Sequence, residues 1–179
     1  MNLTKEIKNI KINGDQIDKV IKGVKDMGQS ERKNLALGLP VSETSHIEDG
    51  GGKFFSSHTT DGDREWTRWI STHGDTAPKL EIILKQVSEV DEIRVYSGNN
   101  RGTISFIKEI NIFVDDRLIV SDKDVNKYES IYKISESGKK FTFTFPPGVN
   151  RIYQLEIYGT YRLIKENILW KRWSLYDDS

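Results

Sequence analysis

From residue 34 onward, hydrophobic side chains tend to occupy every second position, which is the spacing of a β-strand with one buried face. The alternation is clear in residues 80–84, 110–114, 141–145 and 153–157. Clusters of glycine, asparagine, aspartate and proline separate these stretches, and no helical pattern lies between them. Short strands joined by turns, without intervening helices, predict an all-β antiparallel sandwich rather than a parallel α/β sheet.

Two turns punctuate this pattern. Asp115-Asp116 lies between two hydrophobic stretches and predicts a β-hairpin with a two-residue loop. Pro146-Pro147-Gly148 ends the strand that is rich in phenylalanine. In the strand that follows, Glu156 lies on the face opposite Leu155 and Ile157, so a carboxylate is placed within a hydrophobic strand.

The first 33 residues have a helical period, because their isoleucines and valines recur at spacings of three, four and seven. Asn13-Gly14 interrupts the pattern, and Asp15 is a suitable N-cap for a second helix. We therefore expect residues 1–33 to be a helical linker or a docking segment for another protein chain. The sandwich is expected to span residues 34–160, and residues 161–179 to add a strand or a clamp that packs on it.

Composition excludes several classes of function. Lysine plus arginine and aspartate plus glutamate both number 27, so the zero net charge gives no reason to expect nucleic-acid binding. The absence of cysteine excludes disulfides, thiolate catalysis and cysteine-bound zinc. No apolar run approaches the ~20 residues of a membrane span, and the first residues lack the apolar region of a signal peptide. The chain is expected to be exported by another route, to belong to a longer protein, or to be part of a particle such as a phage tail.

Three stretches, in order, resemble the discoidin (coagulation-factor type C) domains and the related galactose-binding-like carbohydrate-binding modules, family 32 among them. They are residues 34–41 (NLALGLPV), 60–69 (TDGDREWTRW) and 155–159 (LEIYG), and residues 80–84 and 90–96 are similar to the family's central strand pair. The resemblance implies a jelly-roll β-sandwich that binds glycans without catalysis, on the outside of a cell or on a particle surface. The long loop 43–58 and the two flanking segments depart from the family pattern.

The acidic loop of the second stretch is a possible metal site. Asp61-Gly62-Asp63 puts two carboxylates on a tight turn, and Thr67 offers a hydroxyl and a carbonyl oxygen nearby. Calcium prefers six to eight oxygen ligands of these kinds. The remaining positions of an EF-hand loop are missing, and on its own the turn is equally explained as a solvated acidic turn.

The resemblance adds Glu156 to this loop, since it implies that the closing strand lies beside it. A carboxylate directed toward buried surroundings needs a ligand or a compensating charge. The alternatives are that Glu156 pairs with Arg64 or Arg68, or faces solvent. The implied structural Ca²⁺ site consists of the side chains of Asp61, Asp63, Thr67 and Glu156, completed by backbone carbonyls near His58 and Asp63.

Glycan recognition combines an aromatic face that stacks on the sugar ring with planar groups that hydrogen-bond its hydroxyls. The loops 45–55, 71–78 and 97–103 are rich in such groups. Trp66 and Trp69 flank the acidic loop and are expected in the core, while His46 is equally explained as a surface or capping residue, and Asn99-Asn100 as a turn. The predicted ligand-binding residues are His46, Phe54, Asn99, Asn100 and Arg101.

No arrangement of residues indicates an enzyme. The three histidines, His46, His58 and His73, lack metal-ligand spacing, and the sequence contains no Gly-x-Ser-x-Gly motif. We therefore predict no catalytic residues.

Three binding functions remain open. The first is a calcium-stabilised carbohydrate-binding module, and the second is a protein-interaction or particle-attachment module that uses residues 1–33. The third is a lipid-binding module. It requires exposed apolar loop residues, for which only Phe54 or Phe55 qualifies.

Overall fold

A ribbon of two long antiparallel strands, β6 (Lys79–Tyr96) and β9 (Glu129–Thr144), runs through the fold in the computed structural model. The structure describes residues 31–49, 52–99, 101 and 106–161, and from Arg32 onward they form one compact unit. The other strands are β1 (Lys33–Asn34), β2 (Val41–Glu43), β3 (Glu48–Asp49), β4 (Gly52–Lys53), β5 (Trp69–Ile70), β7 (Ile110–Val114), β8 (Arg117–Asp122), β10 (Arg151–Ile152) and β11 (Gln154–Tyr161), with a 3₁₀ turn at Ser56–Thr59.

The ribbon bends in its middle, where the register between β6 and β9 shifts between Ile83 and Ser88. Before the bend, β6 pairs with β2, and the facing half of β9 pairs with β7, which continues to β8. After the bend, β6 pairs with β11, whose other edge holds β1. Hydrophobic side chains from both halves, such as Leu80 and Ile93, belong to one core cluster. The two halves therefore form the two layers of a sandwich, which confirms the predicted all-β antiparallel class.

The alternation of the sequence determines which side chains fill the core. Leu80, Ile82 and Leu84 are buried, whereas Ile83, between the last two, is exposed. Phe141 and Phe143 on β9 are also fully buried. Each such side chain contributes about 1.5–3 kcal/mol by leaving water, so a one-residue slip of either strand would remove several of these contributions at once.

The two central strands expected from residues 80–84 and 90–96 are a single continuous strand in the structure. The intervening residues, 85–89 (KQVSE), contain no glycine or proline that would break the backbone. The chain therefore changes layer through a bend with irregular pairing, rather than through a loop.

The hairpin between β7 and β8 has the predicted two-residue loop. Asp115 and Asp116 both adopt positive φ angles, 45° and 67°, as the tight turns that match strand twist require. The Asp115 carboxylate accepts hydrogen bonds from the backbone amides of Lys139 and Lys140, at 3.2 and 2.8 Å, and so fastens the turn to β9.

The predicted helical segment 1–33 and the predicted C-terminal strand or clamp 161–179 fall almost entirely outside the described residues. Of these two segments, Lys33 lies in β1 and Tyr161 ends β11. In the described ranges there is no helix long and apolar enough to cross a membrane.

Candidate functional site

The acidic loop and the closing strand β11 meet in the structure. The Gly62 backbone amide donates a hydrogen bond to Gln154 Oε1 at 3.3 Å. Two residues further along the loop, Arg64 Nε donates to Glu156 Oε1 at 3.0 Å. The loop is thereby fixed along the first half of β11, at the end of the strand that pairs with Tyr96.

Glu156 is 4% exposed, and both of its carboxylate oxygens are occupied. Arg64 contacts Oε1 through Nε and Nη2, and the Tyr158 hydroxyl donates to Oε2 at 2.9 Å. The Arg64 guanidinium also lies over the Tyr96 ring, 4.3 Å from its centroid. Partial burial lowers the pKa of Arg64, but the hydrogen bond to Glu156 and the charges of Glu156, Tyr96 and Tyr158 together more than offset this, and the pKa is raised. The structure therefore has the ion pair between Glu156 and Arg64 that was one of the alternatives to metal binding.

The acidic turn satisfies most of its own hydrogen-bonding groups. Asp61 Oδ2 accepts from the Thr67 hydroxyl at 2.7 Å, and Asp61 Oδ1 accepts from the Asp63 amide at 2.8 Å. Asp63 Oδ1 accepts from the backbone amides of Glu65 and Trp66, at 2.8 and 2.9 Å. These bonds shape the loop without an ion.

The carboxylates predicted to bind calcium are bonded to other groups in this arrangement. Within the described ranges, no three acidic or histidine side chains converge as a metal site. The carboxylate oxygens of Glu156 face Arg64 and Tyr158, and His58 Nδ1 instead lies 3.3 Å from the carbonyl oxygen of Arg68. Calcium binding by this loop stays a prediction.

Trp66 is 65% exposed, so the expectation that it belongs to the core is wrong, whereas Trp69 is fully buried as expected. The backbone amide of Trp66 donates to Asp63 Oδ1, and its ring is covered by Arg101, whose guanidinium lies 3.5 Å from the ring centroid. Asn99 Nδ2 donates to the Glu65 carbonyl at 2.9 Å, and so connects the two loops. Asn100 lies outside the described residues.

These loops border a shallow concave surface of about 770 Å³, which we call the acidic groove. Three of the residues that line it are carboxylates, and two carry exposed or half-buried aromatic rings. The acidic groove is lined by Asp61, Gly62, Asp63, Arg64, Glu65, Trp66 and Tyr128.

A second pocket, of about 470 Å³, combines basic and apolar side chains, and we call it the basic pocket. Its volume lies within the ~300–1,000 Å³ that is usual for small-molecule sites. No lining residue of this pocket is acidic. The basic pocket is lined by Ile47, Phe54, Arg68, Ile70, His73, Val149 and Arg151.

Backbone hydrogen bonds join the segments that line the basic pocket. The Ile70 amide donates to the Phe54 carbonyl at 3.3 Å, and the Ile47 amide donates to the Ile70 carbonyl at 2.9 Å. On the other edge of Ile70, β5 pairs with β10, which places Arg151 directly opposite Ile70. The pocket is therefore lined by side chains on a paired backbone, rather than on one unsupported loop.

Asn150 holds the third lining segment in place. Its buried side chain donates to the carbonyl oxygens of Pro146 and Gly148, at 2.8 and 3.0 Å, and its backbone amide donates to Ser71 Oγ at 2.8 Å. The Ser71 amide in turn donates to the Asn150 carbonyl at 3.1 Å. These bonds fix Val149 and Arg151 on either side of Asn150, at the rim of the pocket.

Arg68 is the most constrained cation of the basic pocket. Its guanidinium lies 4.7 Å from the Phe54 centroid and 5.8 Å from the Tyr153 centroid. Its Nε is buried and has no hydrogen-bond partner among the described residues. A buried donor without a partner is uncommon, and Arg68 lines the pocket, where the accessible part of its guanidinium can donate to a ligand.

His46 lies beside this region but is not among the lining residues. Its Nδ1 is 2.7 Å from Glu43 Oε1, its Nε2 is 3.1 Å from Glu48 Oε1, and its ring packs edge-on against Phe55. The hydrogen bonds to Glu48 and Glu43 hold the pKa of His46 above its ordinary value, despite the opposing effect of burial. In this structure His46 therefore joins neighbouring segments of its loop, as the alternative interpretation of a surface or capping residue suggests.

The predicted ligand residues are thus divided between two surfaces. Phe54 lines the basic pocket, whereas Asn99 and Arg101 adjoin the acidic groove. The sequence did not identify Arg68 and Arg151 as ligand residues. Arg68 belongs to the family-like motif and was considered only as a partner for Glu156, and Arg151 follows the Pro-Pro-Gly turn without any motif of its own.

Comparison with known proteins shows the fold. No protein-family model matches the sequence, and no curated protein matches it. Among solved structures, the chain is similar to a fucose-binding module of Streptococcus pneumoniae, with a TM-score of 0.60 and 18% identity over 73% of this chain and 99% of that one. A chitosan-binding module from the chitosanase/glucanase of Paenibacillus sp. IK-5 gives a TM-score of 0.59 and 17% identity over 71% of this chain and 99% of that one.

A third similar structure is the family 32 carbohydrate-binding module of C. perfringens NanJ in complex with galactose. Its TM-score is 0.59, its identity is 17%, and the match covers 72% of this chain and 99% of that one. The fold is therefore the galactose-binding-like jelly roll that the three sequence stretches implied. At these identities the likeness establishes the fold and leaves the ligand open.

Proposed function

We propose that this domain is a non-catalytic carbohydrate-binding module, and that it binds its glycan in the basic pocket. The single observation that carries the proposal is the convergence of an aromatic ring, Phe54, with the guanidinium groups of Arg68 and Arg151 in one concave surface. A sugar ring needs an apolar face to stack on and planar donors that reach its hydroxyls, and this pocket offers both.

The similar solved structures support binding as the function, because those named above are a fucose-binding module, a chitosan-binding module and a carbohydrate-binding module in complex with galactose. Each of those modules is covered almost completely by the match. We accordingly propose an extracellular or surface-exposed glycan as the target. The predicted structural calcium is not part of this proposal and is tested separately below.

The basic pocket is preferred to the acidic groove for a physical reason. In the groove, the Arg101 guanidinium lies 3.5 Å from the Trp66 centroid, which is closer than the 4.7 Å between Arg68 and the Phe54 centroid in the basic pocket. Asn99 Nδ2, a potential donor to a sugar, is bonded to the Glu65 carbonyl. In the basic pocket, by contrast, Arg151 has no side-chain partner within the described residues.

The test is a glycan array followed by titration calorimetry on the ligands it identifies. Phe54→Ala is expected to weaken binding by about fivefold or more, because an aromatic ring in a sugar site contributes roughly 1–3 kcal/mol. Trp66→Ala, in the acidic groove, serves as the matched aromatic control and should bind as wild type does. Thermal melting of each variant separates a loss of binding from a loss of folding.

Two outcomes would count against the proposal. Loss of binding in Trp66→Ala, with Phe54→Ala unchanged, would move the site to the acidic groove. An array without any bound glycan, with and without added calcium, would remove carbohydrate binding as the function.

A further inference from the structure

We infer that the basic pocket binds a negatively charged saccharide, one whose ring carries a carboxylate or a sulfate group. The inference rests on the proposed function and deepens it, because it names the class of glycan. Two arginines and a histidine line the pocket and no acidic residue does. The acidic groove, on the same domain, has the opposite character.

The Arg68 guanidinium has no anionic partner within the described residues, which is the first reason to expect an anionic ligand. A guanidinium is always protonated at physiological pH and has five donors and no acceptor. The buried Nε of Arg68 has no partner within the described residues, so the structure leaves this cation short of acceptors. Its contacts to the Phe54 and Tyr153 rings fix its position without supplying a negative charge. An anionic ligand at the part of the guanidinium that lines the pocket would provide the missing charge.

The nearby carboxylates do not neutralise this pocket, which is the second argument. Asp75 Oδ2 accepts from the hydroxyls of Thr44 and Ser45, at 2.5 and 2.6 Å. Glu43 accepts from the Ser56 backbone amide at 2.8 Å and pairs with His46. These two carboxylates are therefore engaged with donors that do not line the basic pocket.

The apolar part of the lining distinguishes a saccharide from a bare ion. Phe54, Ile47 and Ile70 contribute an aromatic ring and two aliphatic side chains to the same pocket as the arginines. Inorganic sulfate or phosphate gains nothing from such a surface. A sugar ring, in contrast, can stack its apolar face on Phe54 while its acidic substituent accepts paired hydrogen bonds from a guanidinium.

Galactose and galacturonic acid form a matched pair of probes, since they differ only in the replacement of the C6 hydroxymethyl group by a carboxylate. We expect the wild type to bind galacturonic acid at least about tenfold more tightly than galactose in about 0.05 M salt, because a charge-assisted hydrogen bond is roughly twice as strong as a neutral one. The preference should shrink in about 0.5 M salt, where exposed charges are screened. Galactose 6-sulfate distinguishes a sulfate ester from a carboxylate as the preferred anionic group.

Arg151→Gln is the diagnostic variant, because its side chain lines the pocket and is not part of the core. In this variant the affinities for galacturonic acid and galactose should differ by no more than about threefold, because the charged partner of the acidic substituent is lost. Arg117→Gln, on the exposed hairpin strand β8, is the matched control and should keep the preference. Equal melting temperatures of the two variants exclude unfolding as the cause.

Each remaining outcome has a defined meaning. Equal affinity of the wild type for galactose and galacturonic acid would overturn this inference and leave the proposed function intact. Binding of inorganic sulfate as tightly as galactose 6-sulfate would overturn the role of the sugar ring. If none of the sugars binds while the array identifies a larger neutral glycan, the acidic-saccharide inference fails alone. If no glycan on the array binds either, both proposals fail.

Discussion

Replacing Arg64 by glutamine tests how the acidic loop is held to the sandwich. The substitution leaves the 4%-exposed carboxylate of Glu156 without its cation. Removing one partner of a fully buried ion pair costs about 3–5 kcal/mol. Here the Arg64 side chain is 40% exposed and the Tyr158 hydroxyl still donates to Glu156, so part of this cost is recovered. We expect the free energy of unfolding to fall by about 2 kcal/mol.

Urea denaturation with an unchanged slope measures this loss directly. For a domain of this size, 1 kcal/mol corresponds to about 2–4 °C in Tm, so thermal melting should show a decrease of about 4–8 °C. Arg117→Gln is the matched control, because Arg117 forms an ion pair with Glu136 at an exposed position. Its effect should lie within about 0–1 kcal/mol.

A double-mutant cycle with Glu156→Gln isolates the pair itself. The two single variants should each destabilise the protein, and the double variant should be more stable than the sum of the two effects predicts, by about 1 kcal/mol or more. An Arg64→Gln variant that unfolds at the same urea concentration as wild type would refute the reasoning.

Thermal melting with and without a calcium chelator tests the calcium prediction. If calcium bound by Asp61, Asp63, Thr67 and Glu156 holds the loop, a chelator lowers the Tm of the wild type, and Asp61→Ala reproduces the loss. If the Arg64 ion pair holds it, the chelator leaves the Tm unchanged. Chelation that lowers the Tm as much as Arg64→Gln would show that the ion pair does not replace the metal.

Three further predictions concern positions outside the proposed binding site. Gly159→Ala should lower the unfolding free energy measured by urea denaturation by at least about 2 kcal/mol, since an added Cβ would lie 2.1 Å from the Glu89 carbonyl oxygen. Gly74→Ala, where an added Cβ would meet open space, should leave the unfolding free energy unchanged. The raised pKa of His46 stabilises the fold fully below its ordinary value of 6.5, and this contribution is lost as pH rises through the raised value. The stability difference between wild type and His46→Gln should therefore be largest below pH 6.5 and shrink as the pH rises above it. Asp115→Ala should cost about 1–2 kcal/mol in urea, because two backbone amides of β9 lose their acceptor, whereas Asp115→Asn should stay close to wild type.

The sequence predicted the fold class because alternation is a local property. Side-chain direction in a strand follows from residue parity alone, so the burial of Leu80 and Ile82 and the exposure of Ile83 could be predicted. The same holds for the hairpin at Asp115-Asp116. The continuity of β6 could not be predicted in this way, because it depends on how the two layers pack around residues 85–89.

The binding surface was harder to predict, because its residues are brought together only by tertiary structure. Ile70 and Arg151 are opposite each other in the β5–β10 pair, yet they are far apart in sequence. As a tryptophan, Trp66 is expected in the core. In the structure its backbone amide is bonded to Asp63 in the acidic loop, and its side chain lies at the surface. Hydrophobicity favours burial on average and does not decide the position of one loop tryptophan.

The pairing of β1 with β11 brings the first and last strands of the described domain together. Lys33 lies directly opposite Gly159, so these two strands meet side by side. Gly159 lies further along β11 than Gln154, where the acidic loop is bonded, and this part of the strand corresponds to roughly 17 Å. Contacts made at the edge formed by β1 are therefore separated from the acidic groove by most of the length of β11.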